Sequence, residues 1–191
     1  MDRALVKLLR HTGKAKGLII DTEGFVAFDH ITRLPRFRGL QPSDLYKIVR
    51  DDKKGRLELR ARPFLQVRAV QGHSMPVCPT MEVVHPPTMI HGTDNRAWAI
   101  IQRDGLRLMG RQHVHAASAP TARAGLRASS TVLVYLNTHA MISYGMRIVR
   151  SVNGVLLTQG DHGLICPCFF LRAVDRYSGE EQRFCCRHHV V

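Results

Sequence analysis

Arg56-Leu57-Glu58-Leu59-Arg60-Ala61-Arg62 and, after a Pro-Phe corner, Leu65-Gln66-Val67-Arg68-Ala69 are the stretches that set the fold of the first part of the chain. Leu57, Leu59 and Ala61 alternate with Glu58 and Arg60, the period of a half-buried strand. The second run repeats the pattern and places Arg68 on the face opposite Leu65, Val67 and Ala69. It then breaks into Val70-Gln71-Gly72-His73-Ser74, where a strand end hands over to a glycine turn dense in hydrogen-bonding side chains. Upstream, residues 51–55 (Asp-Asp-Lys-Lys-Gly) read as a turn. Gln41-Pro42-Ser43-Asp44 opens a helix that buries Leu45, Ile48 and Val49. Nearer the start, Leu5, Leu8 and Leu9 fall at helical spacing, with Arg10 and His11 off that stripe, and Gly13 and Gly17 are expected to end the helix.

Helices followed by a two-stranded hairpin resemble a winged helix. Pro76, Pro79, Pro86 and Pro87 interrupt regular structure and place a boundary between lobes spanning 1–75 and 76–191. The second lobe reads as mostly strands: 131–136 is an apolar β-branched run, and 155–158 follows the turn Asn153-Gly154. Ala97-Trp98-Ala99-Ile100-Ile101 starts a helix after a Gly92-Thr93 turn. His113 and His115 sit one apart on a strand and face the same way. The polar residues from about 172 onward are expected to form a loose tail.

The chain has 191 residues, of which 45% are hydrophobic and 23% charged, a globular composition. No apolar run approaches the ~18 residues of a membrane helix, and no leader-type segment is evident. Five cysteines without framework spacing favour a reducing compartment, so an intracellular location, cytoplasm or nucleus, is expected. The net charge is +13, from 28 Lys+Arg against 15 Asp+Glu, and 22 of the 28 are arginine. Such a surplus of planar bidentate forks points to a phosphate-bearing polyanion. Cys166-Pro167-Cys168 and Cys185-Cys186-Arg187-His188-His189 look superficially like zinc ligands, but one or no residue between paired cysteines is too few, and no metal is expected. Walker, Rossmann and Ser-His-Asp signatures are absent.

Leu9-Arg10-His11, Gly24-Phe25-Val26, Arg68-Ala69-Val70-Gln71-Gly72-His73-Ser74, His91-Gly92-Thr93, Met109-Gly110-Arg111-Gln112-His113-Val114-His115 and Gly125-Leu126-Arg127 follow one another in an order that resembles the NAD-dependent tRNA 2′-phosphotransferases of the KptA type. The likeness runs to about Leu171, and Arg33-Leu34-Pro35-Arg36-Phe37-Arg38-Gly39 is similar to the eukaryotic branch. It implies an α+β chain with a winged-helix-like RNA-binding lobe followed by a mostly β, ADP-ribosyltransferase-like NAD lobe. It also implies a transferase of tRNA splicing that moves the 2′-phosphate at a splice junction of RNA, most often tRNA, to NAD. The implied products are 2′-OH RNA, nicotinamide and ADP-ribose 1″,2″-cyclic phosphate, formed in two steps without a metal.

The same resemblance assigns Arg10, His11, Arg68 and Arg127 to catalysis, with Arg10, Arg68 and Arg127 on RNA phosphate. It assigns His91, Gly92, Thr93, Arg111, His113, His115 and Asn153 to NAD. A 2′-monoester beside a phosphodiester carries about three negative charges, which three arginines and a histidine suit. Arg68→Ala is expected to cost activity and leave the melt nearly unchanged. Two other functions remain open from the residues: an ADP-ribosyltransferase that caps terminal phosphates of RNA or DNA, and a non-catalytic basic RNA-binding module.

Overall fold

The computed structural model describes residues 2–184 as a mixed α/β chain of short helices and antiparallel sheets. It divides into two compact units, residues 1–80 and 81–191.

In the first unit, α1 (Asp2–Lys7) runs into a π-helical turn (Leu8–Thr12) and a 3-10 turn (Lys14–Lys16). Gly13 does not end the helix as expected; it is itself helical (φ −59°), and the left-handed Gly17 (φ 75°) is the stop. β1 (Val26–Ala27) and α2 (Phe28–Thr32) were not anticipated, because two and five residues are too few to show a period. α3 (Pro42–Arg50) begins with Pro42 at its first position and a reciprocal cap between Gln41 and Asp44, as the sequence indicates. β2 (Leu57–Arg60) and β3 (Gln66–Ala69) form the hairpin, pairing Glu58 with Arg68. β3 is the middle strand of the order β1-β3-β2. The leucines of the first helix, Ile31, Phe37 and Leu45 close over Val67 and Ala69 to make one core. The buried Asp52 carboxylate ties off the turn before β2, accepting from the Arg56 backbone N–H and, at 2.9 Å, from its Nε.

The second unit contains β4 (Glu82–Val83), β5 (Met89–Thr93), α4 (Asn95–Asp104), β6 (Leu106–Arg107) and β7 (Val114–Ala116). Then follow β8 (Val132–Leu136), α5 (Thr138–Ser143), β9 (Ile148–Arg150), β10 (Leu156–Thr158), β11 (Leu164–Ile165), β12 (Phe170–Asp175) and β13 (Glu181–Gln182). Two four-stranded antiparallel sheets, β4-β9-β10-β7 and β13-β12-β8-β5, meet where Ile90 and Ala117 exchange both backbone hydrogen bonds at 2.8 Å. A two-stranded sheet, β11-β6, completes the set. Asp94 and Asn137 cap α4 and α5 through their side-chain oxygens.

Three expectations change here. Gly92-Thr93 is the end of β5 and no turn; the adjacent Pro86-Pro87 masks a strand whose Met89 and Ile90 are fully buried. His113 precedes β7, so only His115 of the pair lies on a strand. Residues 172–184 are not a loose tail. β12 pairs along β8, and Phe184 packs edge-on against Phe170 at 5.6 Å and Trp98 at 6.4 Å. A bulge between Phe170 and Arg172 breaks the alternation and hides the strand from pattern reading. Cys185, Cys186, His188 and His189 lie outside the described residues.

Gly125 and Gly145 have almost the same φ, 98° and 99°, but a Cβ on Gly125 would stand 2.7 Å from the Ala116 carbonyl oxygen while one on Gly145 would meet nothing. Gly145→Ala is expected to cost about 1–2 kcal/mol from backbone strain alone. Gly125→Ala should cost at least about 2 kcal/mol more, since backbone must move. Urea denaturation of both variants measures the difference, and equal losses would refute the steric argument.

Candidate active site

In the first unit, the end of the opening helix and the turn after β3 are bound to each other. The Ser74 backbone N–H donates to the Arg10 carbonyl at 3.0 Å, and His11 Nδ1 lies 3.0 Å from Ser74 Oγ. The Arg10 guanidinium lies flat against Gly72, where a Cβ would come within 3.1 Å of Cζ; Gly72 also has φ 85°. Glycine is therefore required there twice over, for the turn and for the approach. The π-helical turn that carries Arg10 and His11 is an irregularity of the kind found at functional sites. Gln71 and His73 are buried behind the turn.

Arg68, on the same strand, is not on an open polar face. It is 5% exposed, donates from Nε to Glu58 Oε2 at 2.9 Å, and pairs through Nη2 with the same carboxylate at 2.8 Å. Its Nη1 donates to the Glu23 carbonyl at 3.2 Å, and the guanidinium sits 4.5 Å over the Phe25 ring. The face opposite the core is covered by residues 23–25, which alternation in one strand cannot reveal. Arg60 stacks on Phe25 as well, at 4.0 Å, and pairs with Asp21 at 2.7 Å.

In the second unit, the segments singled out in the sequence are drawn together by two glycines. A Cβ on Gly92 would lie 2.6 Å from Ser130 Oγ and 2.9 Å from Leu126 Cδ2, so the loop carrying Arg127 rests directly on β5. Gly125 presses the same loop against Ala116 and Ala117. Leu126 is buried while Arg127 is exposed, and the Arg127 carbonyl is held by Arg176 Nη1 at 3.0 Å.

His91 Nδ1 is 2.8 Å from the His115 carbonyl oxygen. A carbonyl only accepts, so Nδ1 carries the hydrogen and the neutral ring keeps a lone pair on Nε2. Burial lowers the His91 pKa below its ordinary value; the bond to His115 opposes this, and the charges of Arg127 and Arg111 add to the lowering. Arg111 is itself held below its usual range, first by burial and then by Arg127. Burial also lowers His113. Thr93 is buried at the end of β5. Asn153 Oδ1 accepts from Ser151 Oγ at 2.8 Å in the turn before β10. No group of three or more metal-binding side chains occurs among the described residues.

Glu23, Glu58 and Phe25, which hold Arg68, were missed by sequence reading. For Glu58 a signal existed: it stands opposite Arg68 once the hairpin is registered.

Comparison with known proteins matches residues 1–160 to the family described as RNA 2'-phosphotransferase, Tpt1 / KptA family. A "Putative tRNA 2'-phosphotransferase" of Schizosaccharomyces pombe is 36% identical over 94% of this chain and 52% of its own length. "tRNA 2'-phosphotransferase 1" of Danio rerio is 32% identical over 91% of this chain and 84% of its own. A "Probable RNA 2'-phosphotransferase" of Rhizobium leguminosarum is 34% identical over 80% of this chain and 84% of its own. The chain thus spans about half the length of the fission-yeast relative and most of the other two.

Two outcomes follow from this geometry. Arg68→Ala leaves the Glu58 carboxylate without its partner beside Phe25. It should lower stability by roughly 2 kcal/mol, against the unchanged melt expected from sequence. A double-mutant cycle with Glu58→Gln should recover a coupling of about 1 kcal/mol or more, and additive losses would show the pair to be inert. For His91 and His113 the folded pKa lies below the ordinary 6.5. As pH falls through about 6.5 the unfolded chain takes up protons that the folded chain refuses, so stability falls with acidification. Nitrogen-15 NMR should find His91 neutral, with hydrogen on Nδ1, at pH 7, and its titration midpoint below 6.5. Protonation at or above 6.5 would overturn the assignment.

Proposed function

The chain belongs to the RNA 2'-phosphotransferase, Tpt1/KptA family, and from that membership we propose that it removes a splice-junction 2′-phosphate from RNA, tRNA first of all, using NAD as acceptor inside the cell, in cytoplasm or nucleus. The products are 2′-OH RNA, nicotinamide and ADP-ribose 1″,2″-cyclic phosphate. In this reading the first unit is a winged-helix-like RNA lobe and the second an ADP-ribosyltransferase-like NAD lobe. The observation that carries it is the docking of Arg10 and His11 onto the Gly72–Ser74 turn, at the end of the strand that bears Arg68. Two chain segments more than 60 residues apart thereby present a guanidinium, an imidazole and a hydroxyl together, the donors that a transferring phosphoryl group needs.

The residues of the second unit fit NAD. NAD would supply an electrophilic sugar carbon with nicotinamide as its leaving group. His91, fixed by the His115 carbonyl, offers Nε2 as an acceptor for a ribose hydroxyl, and Thr93 adds a hydroxyl two residues on. Gly92 keeps that strand bare, and Arg111 is a half-buried cation suited to the pyrophosphate, with His113 two residues on as a further donor. His115 acts through its carbonyl, and Asn153 is assigned to the same ligand from its turn.

Arg127, exposed on its loop, grips phosphate oxygens. Arg68 uses the hydrogens on its two terminal nitrogens that Glu58 and Glu23 leave over, and the acids hold its fork in one orientation. Arg10 neutralises charge on the departing RNA oxygen, and His11 delivers a proton to it.

The test is product analysis with a 2′-phosphorylated oligoribonucleotide. Phosphate removal should require NAD, continue in excess EDTA, leave the RNA uncut and place the phosphorus in a cyclic ADP-ribose phosphate. Arg127→Ala should lower kcat/KM by about 100-fold or more with an unchanged melt, since its side chain is exposed. Free phosphate released without NAD overturns the proposal. A stable ADP-ribose–phosphate–RNA product would reassign the chain to terminal-phosphate ADP-ribosylation.

A further inference from the structure

The arginines of the first unit are not used alike. Arg56 and Arg60 are paired with aspartates, and the exposed Arg50 lies on Asp51. Arg33, Arg36, Arg38 and Arg62 are all exposed, and none has an acidic partner among the described residues. Three of these four fall within six residues, on a backbone that is pinned throughout. Leu34, Phe37, Arg38 and Leu40 each donate an N–H to the carbonyl three residues earlier, and Phe37 is buried in the core. A set of cations held on an ordered segment without counter-charges gives little to folding and keeps its full charge for a ligand.

Phe64 is tied to the same segment through the backbone. It is 53% exposed at the tip of the β2–β3 hairpin, two residues after Arg62. The next residue, Leu65, accepts the Phe28 N–H at 2.9 Å, and Phe28 opens the five-residue helix that leads straight into Arg33. At 1.5 Å per residue that helix is about 7.5 Å long. The aromatic tip and the arginine segment are therefore close neighbours. Both lie at the opposite end of β3 from the Gly72 turn. An exposed ring near unpaired cations suits a strand of nucleic acid, with a base stacked on the ring and phosphates on the arginines.

We propose that Arg33, Arg36, Arg38, Arg62 and Phe64 form a second RNA-docking surface that holds an unpaired segment of the substrate away from the reacting phosphate. The inference rests on the RNA reading above, but its readout is separate. Affinity for a labelled, unpaired oligoribonucleotide lacking any 2′-phosphate is measured by fluorescence anisotropy across a salt series. The triple variant R33A/R36A/R38A should bind at least about 10-fold more weakly, and its log–log salt slope should shrink by about 2, at about 0.7 per lost contact. Phe64→Ala should weaken binding to unpaired RNA about 5-fold or more and leave a duplex of the same sequence nearly unaffected.

In turnover, both variants should raise KM for a long 2′-phosphorylated RNA and leave kcat, the KM for NAD and the turnover of a 2′-phosphorylated dinucleotide unchanged. Arg36→Gln and Phe64→Leu, each changing one exposed side chain, give the same directions if a larger change unfolds the unit. Unchanged affinity and slope in all four variants overturn the inference, even where the wild-type chain transfers phosphate. Lost affinity in the variants of a chain that transfers none keeps this surface and refutes the activity. Equal losses on duplex and unpaired RNA from Phe64→Ala would refute the stacking.

Discussion

A loop can lie flat on a strand only where the strand gives up a side chain. Gly92 does so on β5, and Gly125 does the reverse, presenting a bare loop position to the backbone at Ala116 and Ala117. Between these two contacts the second unit is joined: the Ile90–Ala117 pair links its two four-stranded sheets, and the loop from Ala124 to Ser130 fills the angle beside it. His91, Arg111 and Arg127 come within electrostatic reach of one another as a result, which is why the two guanidinium charges bear on the imidazole. A methyl group at either glycine would separate elements that otherwise act together. Close approach of backbone is thus the constraint on which the proposed NAD site depends.

The local part of this architecture was legible in the sequence. Alternation marked the strands at 57–60 and 66–69, an apolar β-branched run marked 132–136, and Pro42 with its capping residues marked α3. What escaped was structure whose cause lies elsewhere in the chain or that breaks a period. The bulge at Phe170 put two residues where the pattern expects one, so β12 read as irregular. β5 was hidden by adjacent prolines, and α2 was too short to show a stripe. Arg68 was read as outward-facing from its own strand, but residues 23–25 cover that face, and nothing local to Arg68 announces them. The meeting of Arg10 with Gly72, and of His91 with the His115 carbonyl, is likewise a tertiary event between unconnected motifs. Sequence order suggested which motifs matter, while folding decided which of their atoms are engaged.

Charge shows the same division. A net +13 describes the whole chain, but its arginines fall into separate populations. Arg68 is buried against Glu58, where it fixes geometry as much as it supplies field. Arg50, Arg103 and Arg150 are spent on neighbouring carboxylates at the surface. Arg33, Arg36, Arg38 and Arg62 stay uncompensated. An electrostatic field that steers a polyanion comes chiefly from arginines without a carboxylate partner, these four and the exposed Arg127 among them, so total charge overstates the part available for attraction.

The π-helical turn at Leu8–Thr12 sets local helix preference against tertiary assembly. Its wider coil presents the Arg10 carbonyl to the Ser74 N–H and the His11 ring to the Ser74 hydroxyl. Rewinding those residues to a regular α-helix would shift the phase of the residues at its end by up to about one residue, about 100° in all. Arg10 would then leave Gly72, and His11 would leave Ser74. The bonds to Ser74 hold the segment in its overwide winding, so the turn after β3 acts as a clamp on the register of its cationic residues. Cosolvents that favour helix would work against that clamp, loosening the arrangement of Arg10 and His11 while the content of helix rose.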